Sequence, residues 1–420
     1  MADPKIIIKG TAGQDIDLGE FKFENFRYIE DMNLGFPTIE FALRDHLFEL
    51  LRKNLFGDEE LIIQDFVTDQ FKFDQKSFRI KLIGSLGSET KPGSAQTVKL
   101  IAIDKNYDAI LKNTKSIFFK TGEVKKISDL LWKLLNQVGI ANGKTSSVNN
   151  FNINITDTSS LIDQGFGNLF IPYSKDPMKI MRKLCNYAIT SNGTGGFLFF
   201  INRRGLNFVP ISSLFINTTE NSPSLQITDW AGLTNVRLST FNAFSNFMIG
   251  HEKKIMGFNL LEKDYNTITY SPNAKYIEYS EYDRKDEKDS NVQTMSSNLG
   301  NQSISMPFSK DFVKGNIKVY YTPIDNPLTL KGFSDRLYYS QMFNYVLEIN
   351  TNMAQKMPDF AIGEMVNIQF KTTDADSWES LNGGWLLKSF AYTYPGDNCL
   401  LKLTRIGIGA LPDQYIKKGE

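Results

Sequence analysis

The chain has 420 residues, 41% hydrophobic and 13% aromatic, which is ample apolar material for folded domains and too much length for one small core. Lysine plus arginine and aspartate plus glutamate each number 47, so the net charge is zero, without the global basic excess of a nucleic-acid binder. Two cysteines, Cys185 and Cys399, are too few for a disulfide framework or a structural zinc site.

The opening MADPKIIIKG reads as no signal peptide, and the longest apolar stretches, such as GFLFFI, fall far short of the ~18 residues a membrane helix needs. A soluble protein made in a reducing compartment is expected. On that reading the N-x-Thr sequons at Asn154, Asn192 and Asn217 are chance matches.

The first predicted strand is FPTIEFALRD, with Ile39 and Phe41 on one face and Glu40 on the other. HLFELLRKNLFGDEE follows as a connection of helical character that stops near Gly57. ELIIQDFV, FRIKLIGSL and QTVKLIAID then read as an antiparallel meander, the last two separated by the breaker-rich loop GSETKPGSA.

The period changes next. ISDLLWKLLNQVG carries Leu130, Leu131, Leu134, Leu135 and Val138 on one helical stripe, with Ser128 expected as N-cap and Gly139 at C′. SKDPMKIMRKLCNYAI is a second helix, with Ser174 as cap and Pro177 in its first turn. GFLFFINRRGLNFVPI reads as a hairpin turning at Arg203, Arg204 and Gly205. A charge-balanced stretch at 281–305 reads as a solvated polar loop, and GFSDRLYYSQMFN (332–344) as a last helix.

The closing segment repeats the opening one. YVLEIN is a strand with Leu347 and Ile349 opposite Glu348, and IGEMVNIQF, GGWLLKSFAYTY and CLLKLTRIG follow, with PGDN as a turn between the last two. From Leu347 to Gly363 is 16 positions, and from Ile39 to Gly57 is 18. Two related β modules are the simplest account; two unrelated meanders sharing one order is the other. Gly57 and Gly363 are expected to be matching structural turns, each needing a positive φ or a close approach that a Cβ would oppose.

Little here suggests chemistry. His46 and His251 have no cysteine or paired carboxylate at metal-ligand spacing, so neither a metal nor a cofactor is expected. No GxSxG elbow is present, and Cys185 beside Leu184 reads as core. TSNGTGG follows a helix and precedes a strand, the reverse of a phosphate loop, and reads as a helix stop. Acidic pairs such as Asp58 and Glu59 read as solvated, and no enzyme is expected.

FPTIEFALRD…FGDEELIIQDF, FRIKLIG, KISDLLWKLL, IPYSKDPMKIMRKLCNYA, GGFLFFINRRGLNFVPI and SDRLYYSQMFN…LEIN…IGEMVNIQF, in this order, resemble the central baseplate hub proteins of contractile phage tails. The hub part of the VgrG spike proteins of type VI secretion looks similar. The resemblance covers nearly the whole chain and rests on pattern and placement. It implies a mainly-β α+β fold with two tail-tube-like antiparallel β domains and an inserted small α/β domain. The divisions are a first tube-like domain at 1–118, the insert at 119–218, and a second tube-like domain at 219–420, elaborated near 281–305.

It further implies a homotrimeric virion protein, assembled in the host cytoplasm, that adapts the sixfold tail tube to the threefold central spike. Its partners are then the tail tube protein, the spike, other baseplate proteins, and tape-measure protein or DNA in a channel, without membrane insertion. A distal tail adaptor, a tail-associated glycan hydrolase and a carbohydrate-binding β protein are the other readings. Asn367, Gln369, Lys402 and Thr404 are the expected channel-facing residues. Phe390, Tyr392 and Tyr394 are expected to pack under the helix at 332–344. The strands EMVNIQF and CLLKLTRIG carry few charges and are expected to be edges that neighbouring domains cover.

Overall fold

The computed structural model describes residues 5–10, 15–20, 22–45, 50, 55, 58–67, 72–86, 96–112, 117–119, 125–148, 151–161, 169–171, 177–191, 193–216, 224–227, 233–238, 253–259, 264–270, 277–281, 292–299, 302–309, 318–322, 332, 336, 346–351, 360–370, 382–394, 396 and 398–404. His46, Gly57, Ser174 and His251 lie outside these residues, as does most of 332–344.

Strands β1 (Lys5–Lys9), β2 (Ile16–Asp17), β3 (Lys22–Asp31), β4 (Thr38–Asp45), β5 (Glu60–Val67), β6 (Lys72–Leu86) and β7 (Gln96–Asp104) come first. The middle of the chain holds α1 (Lys105–Leu111), β8 (Ile117–Phe119), α2 (Ile127–Gln137), β9 (Ser147–Val148) and β10 (Phe151–Ile155). It continues with β11 (Leu169–Ile171), α3 (Pro177–Leu184), β12 (Phe197–Asn202), β13 (Gly205–Pro210) and α4 (Ile211–Ile216). After β14 (Ser224–Ile227) and β15 (Leu233–Leu238) come β16 (Lys253–Asn259), β17 (Asp264–Tyr270), β18 (Ile277–Glu281), β19 (Val292–Leu299), β20 (Gln302–Ser309) and β21 (Lys318–Thr322). The chain closes with β22 (Val346–Thr351), β23 (Met365–Phe370), β24 (Gly383–Tyr394) and β25 (Asn398–Thr404). The fold is mainly β with a minor helical share.

One large sheet joins both ends of the chain in the order β15-β22-β25-β24-β3-β4-β7-β6-β5-β1-β2, with β23 on β24 and β14 on β23. The expected meander is only partly realised. β5, β6 and β7 are consecutive neighbours, but β4 lies beside β7, because the long connection after β4 carries the chain across to start β5 on the far side. That is a Greek-key arrangement.

The closing strands do the same: β22 lies beside β25, and β23, β24 and β25 are consecutive neighbours. Alternation explains the strands themselves. In β4, Ile39, Phe41 and Leu43 point into the core while Glu40, Ala42 and Arg44 lie on the wetter face. Both sets of strands share one apolar cluster.

The middle segment has its own core. Sheet β12-β13-β10-β9 packs with α2, whose Leu130, Leu131, Leu134 and Leu135 are all fully buried. Each such leucine contributes about 1.5–3 kcal/mol relative to exposure.

Gly139 follows the helix at φ +76 in a Schellman turn, its N–H donating to Asn136 O and that of Ile140 to Leu135 O. Ser128 is not the N-cap. Lys126 holds that position, and Ser128 Oγ instead donates to Asp157, tying the helix to the 157–158 segment. The polar stretch at 281–305 is also not simply a loop, since β19 and the start of β20 pair across it. Its alternation is carried by small polar residues, which hide the period from a hydrophobic reading.

Candidate assembly surface

The duplication extends to individual residues. In the first set β3-β4-β7-β6-β5 are neighbours, and in the second β15-β22-β25-β24-β23. Arg27 faces Glu40 across one ladder, and Arg237 faces Glu348 across the other. Register shifts fall between Phe23 and Asn25 on β3 and between Leu233 and Asn235 on β15. Two more fall between Ile80 and Leu82 on β6 and between Leu387 and Ser389 on β24. Ile80 N–H donates to Glu59 O, and Leu387 N–H to Glu364 O. Bulges re-aim strands at fixed points, so four bulges at paired positions mark a repeated unit.

This register fixes what matches Gly363. Glu59 corresponds to Glu364, so the residue in the place of Gly363 is Asp58, and Gly57 stands one position out. The first segment carries one extra residue between its Gly and the strand, which pattern matching on the Gly alone overlooks. Gly363 itself has φ +87, and a Cβ there would stand 2.6 Å from the buried ring of Phe200. Gly363→Val is expected to lower stability by about 1–3 kcal/mol through backbone strain, and more if Phe200 cannot yield. A denaturant midpoint unchanged from the parent would contradict this.

The two sets meet where β24 pairs antiparallel with β3, from Ser389 opposite Asp31 to Tyr394 opposite Phe26. One face of the joined sheet is polar. A row crosses it through Arg237, Glu348, Lys402, Ser389 and Asp31, with Lys402 Nζ 3.1 Å from Glu348. Burial pushes the Lys388 amine below its ordinary value, with Asp31 opposing.

Lys402 therefore sits on this polar face, half-buried. Thr404 does not join it in solvent: it is fully buried between Val346 and Leu386, both covered themselves. Asn367 and Gln369 are half-buried, on β23 opposite Ser224 and Gln226 of β14. Neither β23 nor β25 is an edge, contrary to expectation: β14 covers β23, and β25 lies between β22 and β24. The cover of β23 comes from β14, a four-residue strand whose distance from 365–370 along the chain hides it in the sequence.

Phe390 and Tyr392 are buried and Tyr394 is half-buried. Among the described residues, Phe390 is covered by Tyr28 (centroids 6.4 Å apart), Phe360 (5.7 Å) and the guanidinium of Arg203 (5.8 Å). Gly332, at the start of the predicted helix, instead approaches Tyr187 O, where a Cβ would stand at 2.9 Å.

A polar node that sequence reading missed locks these pieces. Glu30, fully buried, accepts from the Tyr28 hydroxyl, from Arg203 N–H (2.7 Å) and from Ile362 N–H (3.2 Å). Asn202 donates to Ile362 O (2.8 Å) and accepts from the N–H groups of Arg204 and Gly205. Lys76 donates to Arg203 O, and Arg204 pairs with Glu364 at 2.6 Å. The β12–β13 turn is thereby held by both sets of strands. One signal was available: Glu30 falls in the alternation Phe26, Tyr28, Glu30, a carboxylate on the apolar side of a strand.

Nearby Asp104 is buried and caps α1, accepting from Asn106 and Tyr107 N–H at 2.9 and 3.0 Å. Burial raises its carboxyl to about 6, against the pull of those N–H groups and of Lys76. A raised acid favours the folded state when protonated, so its contribution is full below the ordinary carboxylate range and lost as pH rises through 6. Relative to Asp104→Asn, the parent is expected to gain on the order of 3 kcal/mol between pH 7 and 4. Urea midpoints of both proteins across that range check it, and parallel pH profiles would refute it.

Burial also pushes the Cys185 thiol up to about 12, which leaves it unreactive. Among the described residues no group of three histidine, cysteine or carboxylate side chains could hold a metal, and no helix is long and apolar enough to cross a membrane.

The sequence matches no family model and no curated protein. The fold does have solved counterparts. A tail protein from Neisseria meningitidis MC58 superposes with a TM-score of 0.54 at 10% identity, covering 97% of this chain and 98% of that one. The 43 kDa tail protein of prophage MuSo2 from Shewanella oneidensis gives 0.53 at 10% identity, covering 96% and 99%. This chain has a phage tail-protein fold. The tail-protein fold extends over nearly the full length of both partners, so the duplicated strands, the middle segment and the junction all belong to it.

Proposed function

We propose that the chain is a structural baseplate hub of a contractile phage tail, working by assembly and without turnover. Three copies form a ring of six tube-like modules that adapts the sixfold tail tube to the threefold central spike. The modules are residues 1–118 and 219–420, with the insert at 119–218 between them and the 281–305 elaboration in the second. The polar sheet face lines a channel for tape-measure protein or DNA, and tube, spike and other baseplate proteins are the neighbours. The chain acts in the virion tail after assembly in the host cytoplasm.

The observation that carries this reading is the repeated five-strand order with matching bulges. A threefold object meets a sixfold one smoothly only if each subunit offers two equivalent surfaces. Light scattering and negative-stain imaging of the purified protein test it: a trimer with six lobes is expected. A stable monomer at micromolar concentration that neither tube nor spike protein trimerises would overturn it.

A further inference from the structure

Two described residues of the predicted helix at 332–344, Gly332 and Arg336, are both helical. Four positions apart, they share one face. Gly332 lies against Tyr187 O and Ala188 O, just past the C-terminal end of α3. Arg336 is within electrostatic reach of the Cys185 thiol, which is itself buried. A second guanidinium acts on the same thiol from Arg182, whose Nη2 donates to Leu34 O in the β3–β4 turn.

Arg336 is not satisfied there. Its Nη1 is sealed from solvent and has no hydrogen-bond partner among the described residues. Burial pulls the guanidinium below its ordinary value, and the opposing influence is the Cys185 thiol rather than a carboxylate. A buried cation is strongly destabilising unless an anion offsets it. Its N–H donors form a planar fork that fits a carboxylate through two parallel bonds.

We infer that Arg336 and Arg182, gathered at the end of α3, form a binding site for one carboxylate. The charge balance selects that class of ligand. One negative charge neutralises the buried guanidinium, whereas a phosphate dianion would leave an excess of buried negative charge. Arg182 is half-buried and spends Nη2 on Leu34 O, so it draws the anion in from the rim.

Thermal unfolding of the parent and Arg336→Met tests this, with acetate as the probe. In chloride, Arg336→Met is expected to melt higher than the parent, because an apolar side chain of similar length has no charge to desolvate. Exchanging chloride for about 0.1 M acetate at equal ionic strength should raise the parent by about 2 °C or more beyond any rise in the variant. Arg336→Lys, charged but without the fork, should gain less than the parent. A lower melting temperature for Arg336→Met in chloride would mean that the guanidinium is already paired within the chain, and would overturn the inference. Equal acetate responses in the parent and Arg336→Met would overturn it too.

A second arm separates a free acid from a side chain of a partner protein. Acetate that weakens binding of tail tube or spike protein several-fold for the parent, and not for Arg336→Met, assigns the carboxylate to that protein. Unchanged binding assigns the site to a small free acid, and either result upholds the site. This arm alone rests on the hub reading: if neither protein binds, that reading fails while the melting result still decides the site.

Discussion

Replacing Phe390 by aspartate is expected to leave no folded protein at 25 °C. The ring is 1% exposed and wedged between Tyr28, Phe360 and Arg203, at the point where β24 runs alongside β3. Removing such a ring costs about 3–5 kcal/mol in lost burial and cavity. A carboxylate left in its place adds a further cost of several kcal/mol for an unpaired buried charge. Arg203 offers no rescue without movement, since the shorter side chain would have to reach it across the void. Against a typical native stability of ~5–15 kcal/mol, the sum is decisive. Circular dichroism and gel filtration check this. Phe390→Leu, which keeps most of the apolar volume, should remain folded and melt lower, whereas a cooperative melt of Phe390→Asp within a few degrees of the parent would refute the packing argument.

The second large effect is expected at Glu30. Its carboxyl serves three donors on three separate stretches: the Tyr28 hydroxyl, Arg203 N–H and Ile362 N–H. The hydroxyl remains a donor throughout the accessible pH range, since burial first and Glu30 second hold its pKa well above the ordinary value. Glu30→Ala strands all three donors, each at about 1–3 kcal/mol if no water enters, and is expected to cost roughly 3–5 kcal/mol in total. Glu30→Gln retains one acceptor oxygen and should therefore cost less than Glu30→Ala, although its amide N–H₂ then meets one of the two backbone donors.

The distribution of the effect is the sharper readout. Amide exchange at 202–205 and at 361–364 should accelerate together, although the two turns are far apart in sequence. A loss under about 1 kcal/mol, or a change confined to one turn, would mean that the node does not bridge the two sets of strands.

The sequence by itself determined the strands whose faces differ in polarity and the helix whose leucines form a stripe. Ile39, Phe41, Leu347 and Ile349 announce their side of the sheet because a two-residue period needs only local contrast. It also determined that one strand order is written twice, since YVLEIN…IGEMVNIQF repeats FPTIEFALRD…ELIIQDF in kind and sequence. Pro177 at the start of α3 and Gly139 after α2 were equally legible, because backbone restrictions at helix ends act within a few residues.

What lay beyond reach involves partners distant along the chain. Nothing near Met365 says that β14 covers β23, and nothing near Lys402 says that Thr404 is sealed by Leu386 and Val346. The offset that pairs Asp58 rather than Gly57 with Gly363 became visible only through the ladder bonds of Ile80 and Leu387. Glu30 stands out in the sequence only by its place in the alternation Phe26, Tyr28, Glu30, and nothing near it names Arg203 and Ile362 as its partners. The physical reason is common to all of these. Periodicity and propensity are set by neighbours within a turn or a pleat, whereas edge cover, buried polar satisfaction and register between modules are decided by which remote strands meet, and only the assembled tertiary structure brings them together.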